Sequence, residues 1–381
     1  MDNQRGEVKM ASPQGGSLKG LYDPDIIDSI VQHKKDEVEA TKEDPFVIDD
    51  AYKFAQQEGT VMFSEAFWMP KEIPDIPLPM FKVEDWHEEA QLHIPDKDPN
   101  WVWNKGVTER LALALYCGDT TLLHGLQGTG KSCLAEQWCA TFVVPLWRMS
   151  CNVETREAHF LGSASIDYEE VNGEAKMFIK QEPTILTDSL KYGGLFLEDE
   201  AFRHNSALVL QSLREKNTRT VLLPDAPGRT ADERRLVATE GRWWYILTDN
   251  TCGTGDETGV FDAQVQDAST LDRIGACIEV RYLGKSDEKD IMRKHTSLSD
   301  GQISGIIDYA KLVRKAFENQ SLLSTFSVRS LLAWGEKAEM TQNLELALRL
   351  TWYEKLCTDD KAVAREMYHQ VFARRLIKGD A

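Results

Sequence analysis

The stretch GLQGTGKS, residues 125–132, lies between the apolar run TTLLHG and the helically spaced KSCLAEQWCA, in which Leu134 and Trp138 fall one turn apart. A G-x-x-x-x-G-K-S pattern between a strand and a helix is a phosphate loop. Its glycines let backbone N–H groups wrap phosphates at a helix N-terminus, where the helix dipole favours anions. Gly125, Gly128, Thr129, Gly130, Lys131 and Ser132 are therefore the expected phosphate cradle, with Lys131 on the β- and γ-phosphates and Ser132 also ligating Mg²⁺. The expected nucleotide is ATP. TKED, residues 41–44, mimics a guanine-reading motif, but it precedes the phosphate loop and lies in a polar tail.

A magnesium-bound triphosphate needs an acid at the tip of a neighbouring strand, and GGLFLEDEAFR offers three in a row. Asp199 followed by Glu200 supplies a metal-side aspartate and then a carboxylate able to polarise the attacking water. A register one residue earlier promotes Glu198 instead, and the spacing leaves both open. The run RWWYILTDNT turns polar only at Thr248, Asp249 and Asn250. Polar side chains leaving the C-terminal end of a buried strand face the crevice where open α/β sheets bind ligands, so Asn250 is expected to orient water at the γ-phosphate.

Two arginines complete the candidate set. From Gly253 onward the chain is acidic, with no basic residue until Arg273 in STLDRIG. A lone arginine there suits delivery to a transferring phosphoryl group from outside the nucleotide-binding subunit. Arg329, in FSVRSLLAW, opens a C-terminal helix and could reach the nucleotide in cis. Spacing alone also allows surface ion pairs for both.

Working outward, the 381 residues exceed one usual domain. Residues 1 to about 60 are polar, with one helical pattern in DPDIIDSIVQHKKDEVEA; the four prolines of MPKEIPDIPLP then predict an extended strap. From Trp86, short apolar runs alternate with helical stretches (TTLLHG, VVPLWRMS, YGGLFLE, RWWYILT, ACIEVRYL), the signature of a parallel sheet with crossover helices. After Leu283 only amphipathic helices follow, among them one expected through NLELALRLTWYEKL. The expected division is an N-terminal extension 1–85, an α/β nucleotide-binding domain 86–283 and a helical domain 284–381.

The formal charge of −18 repels phosphate backbones and disfavours nucleic-acid or anionic-membrane binding. The segment TRTVLLPDAPGRTADERRLVATEG holds arginines that could line a nucleic-acid pore, but its acids nearly balance them. Neither the start of the chain nor runs such as LALALYC approach a signal core or the roughly 18 residues of a membrane span, which points to the cytoplasm. Seven cysteines without C-x-x-C spacing and eight dispersed histidines indicate neither a disulfide framework nor a metal cage.

At these residues the chain resembles AAA+ ATPases of the MoxR and cobaltochelatase CobS type, over about residues 80–378. IPDKDPNWVW resembles the stretch ahead of the family's first strand, and GLQGTGKS its Walker A loop. HFLGSASI with DYEEVNGEAKMFIKQEP resembles the hairpin inserted in its second helix. TDNTCGTGDETGVFDAQVQDASTLDR and FSVRSLLAWGEKAEM are similar to CobS in particular. The resemblance implies an AAA+ P-loop core with inserted hairpins and a helical lid, in a homo-oligomeric, hexameric ring. It implies Asn250 as sensor 1, Arg273 as the arginine finger serving the neighbour's ATP, and Arg329 as sensor 2. In the family, such a subunit drives a partner bearing a von Willebrand A module and, with a chelatase catalytic subunit, inserts cobalt into a corrin. A remodelling or assembly chaperone of the same build is the alternative.

Overall fold

Five of the apolar runs pair into one sheet in the computed structural model, which describes residues 59–171, 174–204, 220–223, 226, 234–238, 241–255 and 263–373. The strands are β1 (Thr121–His124), β2 (Leu146–Ser150), β3 (Gly194–Asp199), β4 (Trp243–Asp249) and β5 (Ala276–Glu279). They lie in the order β5-β1-β4-β3-β2, and every pairing is parallel. A parallel sheet is covered on both faces, which is why its central strands read as unbroken apolar runs rather than alternating ones. Every residue of β3 and β4 is buried.

Helices α1 (Lys105–Tyr116), α2 (Lys131–Phe142) and α3 (Ile185–Tyr192) flank these strands. Asn104 caps α1 by accepting from the Val107 N–H, and Thr184 caps α3 by accepting from the Thr187 N–H. Ahead of α1, the proline-rich strap forms a short antiparallel pair, Thr60–Met62 with Pro77–Pro79, and buries Phe63, Ile76, Leu78, Phe81 and Trp86. Glu109 of α1 anchors it. Its buried carboxylate accepts from the Trp68 indole at 2.8 Å and from the Lys71 and Glu72 amides at 3.0 and 2.8 Å.

Between β2 and β3 a hairpin projects, Ala164–Val171 antiparallel to Glu174–Gln181. A smaller one, Thr220–Leu222 with Arg235–Val237, lies between β3 and β4. Much of the arginine-bearing segment around that second hairpin, and the helical pattern at residues 23–40, lie outside the described residues, as does part of the acidic loop before Arg273.

Beyond β5 come α4 (Lys285–His295), α5 (Asp300–Glu318), α6 (Val328–Thr341), α7 (Leu344–Thr351) and α8 (Thr358–Phe372). Tyr309 centres their core, meeting Phe326, Trp334, Trp352 and Tyr368 edge-on at ring-centroid distances of 5.4–6.2 Å. The single helix expected through NLELALRLTWYEKL is instead broken at Trp352. That residue leaves the helix to bury its ring, and its indole N–H donates to the Thr325 carbonyl at 3.1 Å. Burial of a large side chain outweighs one further turn of helix propensity. No helix among the described residues is long and apolar enough to cross a membrane.

Candidate active site

The carboxyl ends of β1, β3 and β4 meet at one edge of the sheet because the register pairs Asp249 with His124 and Thr248 with Asp199. The phosphate loop leaves β1 there. Gly125, Gly128 and Gly130 all take positive φ (143°, 70° and 93°), backbone that residues with a Cβ rarely adopt. Gly130 is the N-cap of α2, so the helix begins where the loop ends. Thr129, itself buried, donates its hydroxyl to the Leu126 carbonyl at 3.0 Å and tightens the turn.

Lys131 reaches back over this loop. Its ammonium donates to the carbonyls of Gly125 and Leu126 at 2.7 and 3.1 Å and to Oδ1 of Asn250 at 3.1 Å. Burial brings its pKa down to about 8 against the opposing pull of Asp249, Asp199 and Glu200.

Each of the three consecutive acids faces a different environment: strand alternation turns Glu198 and Asp199 to opposite faces, and Glu200 lies past the end of β3. Asp199 points toward α2. Its Oδ1 accepts from the Ser132 hydroxyl at 2.6 Å and from Thr248, and its Oδ2 accepts from the Arg148 guanidinium on β2. Burial alone would raise this carboxyl, but the two hydroxyls and Arg148 outweigh it and hold it below the usual carboxylate range. Glu198 is wholly buried and is held by Tyr245 and His204, away from Ser132. Glu200 adopts left-handed backbone (φ 60°), part-exposed, with its carboxylate on Arg203 at 2.9 Å. Asp249 closes turns, accepting from the amides of Phe202 and Thr251.

The two arginines separate. Arg329 is the second residue of α6, and the residue before it, Val328, donates its amide to the Gly128 carbonyl of the loop at 3.2 Å. It therefore lies on the phosphate-loop side of its own chain. Arg273 does not. The Gly275 amide donates to the Thr120 carbonyl at 2.9 Å and Ala276 pairs with Thr121, so Arg273 sits at the amino end of β1. The loop leaves the other end of that strand, about 13 Å away for four residues of parallel strand. The exposed guanidinium of Arg273 has no hydrogen bond or ion pair with any described residue.

Two contributors were not among the sequence candidates. Arg148 is the one charge in the run VVPLWRMS, a signal readable only once β2 is known to lie beside β3. The other is the Ser327–Val328 start of α6, just before the Arg329 already expected near the nucleotide. The Val328 amide donates to the Gly128 carbonyl at 3.2 Å, and a Cβ on Gly128 would fall 2.3 Å from that of Ser327. The start of α6 thus rests on the phosphate loop.

The arrangement fits a metal-bound nucleotide: an ammonium over glycine-rich backbone, and a hydroxyl and carboxylate 2.6 Å apart as hard oxygen donors for a small divalent cation.

Two domain families match the chain. The AAA domain of the dynein-related subfamily matches residues 120–273, and the CbbQ/NirQ/NorQ C-terminal domain matches residues 288–373. The aerobic cobaltochelatase subunit CobS of a Sinorhizobium species is 24% identical over 298 residues, covering 76% of this chain and 86% of that protein. Among solved structures, the RuvB Holliday junction branch migration motor of Thermotoga maritima aligns at TM-score 0.42 and 15% identity, over 70% of this chain and 74% of its own. A variant of that RuvB aligns at TM-score 0.43 and 15% identity, over 71% and 75%.

Proposed function

The chain is an AAA+ ATP hydrolase of the MoxR/CobS type, and we propose that it works in the cytoplasm as one subunit of a homo-oligomeric, hexameric ring that turns ATP hydrolysis into conformational work on a partner. In this reading an extension to residue 85 precedes a nucleotide-binding domain, 86–283, and a lid, 284–381.

The roles follow from the side chains at the sheet edge. Lys131 leaves the loop carbonyls for the β- and γ-phosphates, while the amides of Gly125, Gly128, Thr129 and Gly130 face the rest of the polyphosphate. Ser132 and Asp199 hold Mg²⁺, which when bound neutralises charge on the β- and γ-phosphates. Asn250, released by Lys131, orients the attacking water. Glu200 turns from Arg203 and takes that water's proton as its oxygen bonds to the γ-phosphorus and ADP departs. Arg329 binds the same nucleotide from the lid, and Arg273 of the adjacent subunit stabilises the charge that develops.

The observation that carries the ring is the position of Arg273, unpaired among the described residues and a strand's length from its own phosphate loop. A heterologous, ring-closing interface would present it to the next subunit's nucleotide. Its test is the dependence of specific ATPase activity on protein concentration. A ring requires activity to fall on dilution in step with loss of the assembly by sedimentation, and full activity of the isolated chain would refute it.

For the load, the relative named as a cobaltochelatase subunit favours a chelatase assembly, in which the family resemblance implies a von Willebrand A partner and a catalytic subunit that acts on a tetrapyrrole. One feature favours the alternative, remodelling of a protein client. On the inserted hairpin, Ile166 pairs with Ile179 and Tyr168 with Met177, and all four are more than half exposed. An apolar strip of this kind suits contact with another polypeptide. Capture of the intact protein separates the two, since chelatase work demands a von Willebrand A protein and a tetrapyrrole enzyme in the captured assembly.

A further inference from the structure

Behind the phosphate site, two stretches of chain bring together Cys151, just past β2, with Glu198, within β3, and His204, six residues after it. All three are buried, at 3%, 0% and 2% exposure, and one ligand atom of each lies within 4.8 Å of the others. We propose that they form a structural site for a divalent cation of the zinc class, back to back with the Mg²⁺ site and independent of it.

The donor set argues for that class. A thiolate, an imidazole and a carboxylate are the mixed donors zinc-like ions take, whereas Mg²⁺ and Ca²⁺ take oxygen alone. Charge balances as well, because binding displaces the Cys151 thiol proton to solvent and the two anions then offset the divalent charge.

The spacing is close to what such an ion needs. His204 Nε2 lies 2.7 Å and Cys151 Sγ 3.9 Å from Oε1 of Glu198. Tetrahedral coordination at zinc bond lengths places such pairs about 3.3 and about 3.5 Å apart, so each distance changes by roughly half an ångström. The second oxygen, Oε2, accepts from the Tyr245 phenol, the kind of outer hydrogen bond that fixes a ligating carboxylate.

Nε2 is the ligating nitrogen, and the ring is held against Phe160 with centroids 5.2 Å apart. An ion held here would clamp the end of β2 to β3 and to the turn carrying Glu200, fixing the strand that presents Asp199.

The test uses the full chain, purified without a histidine tag or chelator. Elemental analysis should find about one zinc-class ion per chain, lost in Cys151→Ala and in His204→Gln. Stripped of that ion and titrated with Co²⁺ alone, the wild-type chain should develop a near-ultraviolet thiolate-to-cobalt band. Ser132→Ala should keep the band and Cys151→Ala should lose it, with melting curves confirming that both variants fold. A metal-free preparation that gives no band with Co²⁺ would overturn the proposal. So would a band that survives Cys151→Ala, or one that vanishes with Ser132→Ala and so belongs to the phosphate site.

Discussion

The phenol of Tyr282 donates a hydrogen bond to the backbone carbonyl of Gln127 at 2.8 Å, tying the connection between β5 and α4 to the tip of the phosphate loop. The same hydroxyl meets Thr325 Oγ1 at 3.2 Å, and the Arg314 guanidinium stacks 3.9 Å over the ring. Arg314 in turn donates to the Phe326 carbonyl at 2.7 Å, one residue before the Ser327 cap of α6. The loop, the β5–α4 connection and the helix bearing Arg329 therefore share one chain of contacts.

Tyr282→Phe keeps the stacked ring and deletes the hydroxyl. A hydrogen bond of this kind contributes about 1 kcal/mol, so ATP affinity should fall by about fivefold if the loop must be held for nucleotide to bind. Titration with a fluorescent ATP analogue measures it. Unchanged affinity would show that the loop is held without this tie.

Arg314→Met breaks a buried ion pair, Arg314 to Glu288 at 2.6 Å, with side chains 7% and 0% exposed. A buried carboxylate left unpaired costs about 3–5 kcal/mol, and Glu288→Gln in the same chain should recover part of that. Denaturant unfolding is the measurement. The pH dependence has a definite sign. Burial already raises the Glu288 carboxyl above its ordinary value, with Arg314 opposing. Without Arg314 the folded state holds the proton more tightly than the unfolded one, so stability is greatest at acidic pH and is lost as pH rises. The variant's deficit should therefore shrink on acidification.

Gly128→Ala should abolish turnover without unfolding the chain. The new methyl would lie 2.3 Å from the Ser327 Cβ on backbone already at φ 70°, so the lid must lift or the loop must distort. Ser327→Gly on the same background removes the clash but not the strain. ATPase assays of both variants separate the two effects, and equal activity would place the whole cost in the backbone.

Local pattern was enough to place the glycine-rich loop between a strand and a helix, the apolar strands and the polar ends of β3 and β4, because each is written in contiguous residues. The order of the three acids was not readable. Glu198, Asp199 and Glu200 differ only in which way each faces, and strand register decides that. Arg148 and Tyr282 were missed because their partners lie 51 and 155 residues away in the chain. Cysteine and histidine spacing gave no sign of the Cys151–Glu198–His204 cluster for the same reason, since Cys151 lies 47 residues from Glu198 and only the pairing of β2 with β3 brings it there. The break at Trp352 needed a tertiary pocket no helical periodicity contains.

Arg273→Ala should bind ATP as the wild type does and lose turnover by a thousandfold or more, the scale at which an arginine finger acts. Lys131→Ala should fail to bind, because the buried ammonium over the loop is gone. Mixing the two inactive chains is the sharper measurement. In a mixed ring, some sites pair the intact phosphate loop of an Arg273→Ala chain with the intact Arg273 of a Lys131→Ala neighbour, and those sites should hydrolyse ATP. Arg273 lies at the amino end of β1 and the loop at its carboxyl end, so an unmixed Arg273→Ala ring cannot rebuild such a site. If activity stays absent across all mixing ratios while sedimentation shows mixed assemblies, Arg273 does not act across a subunit boundary.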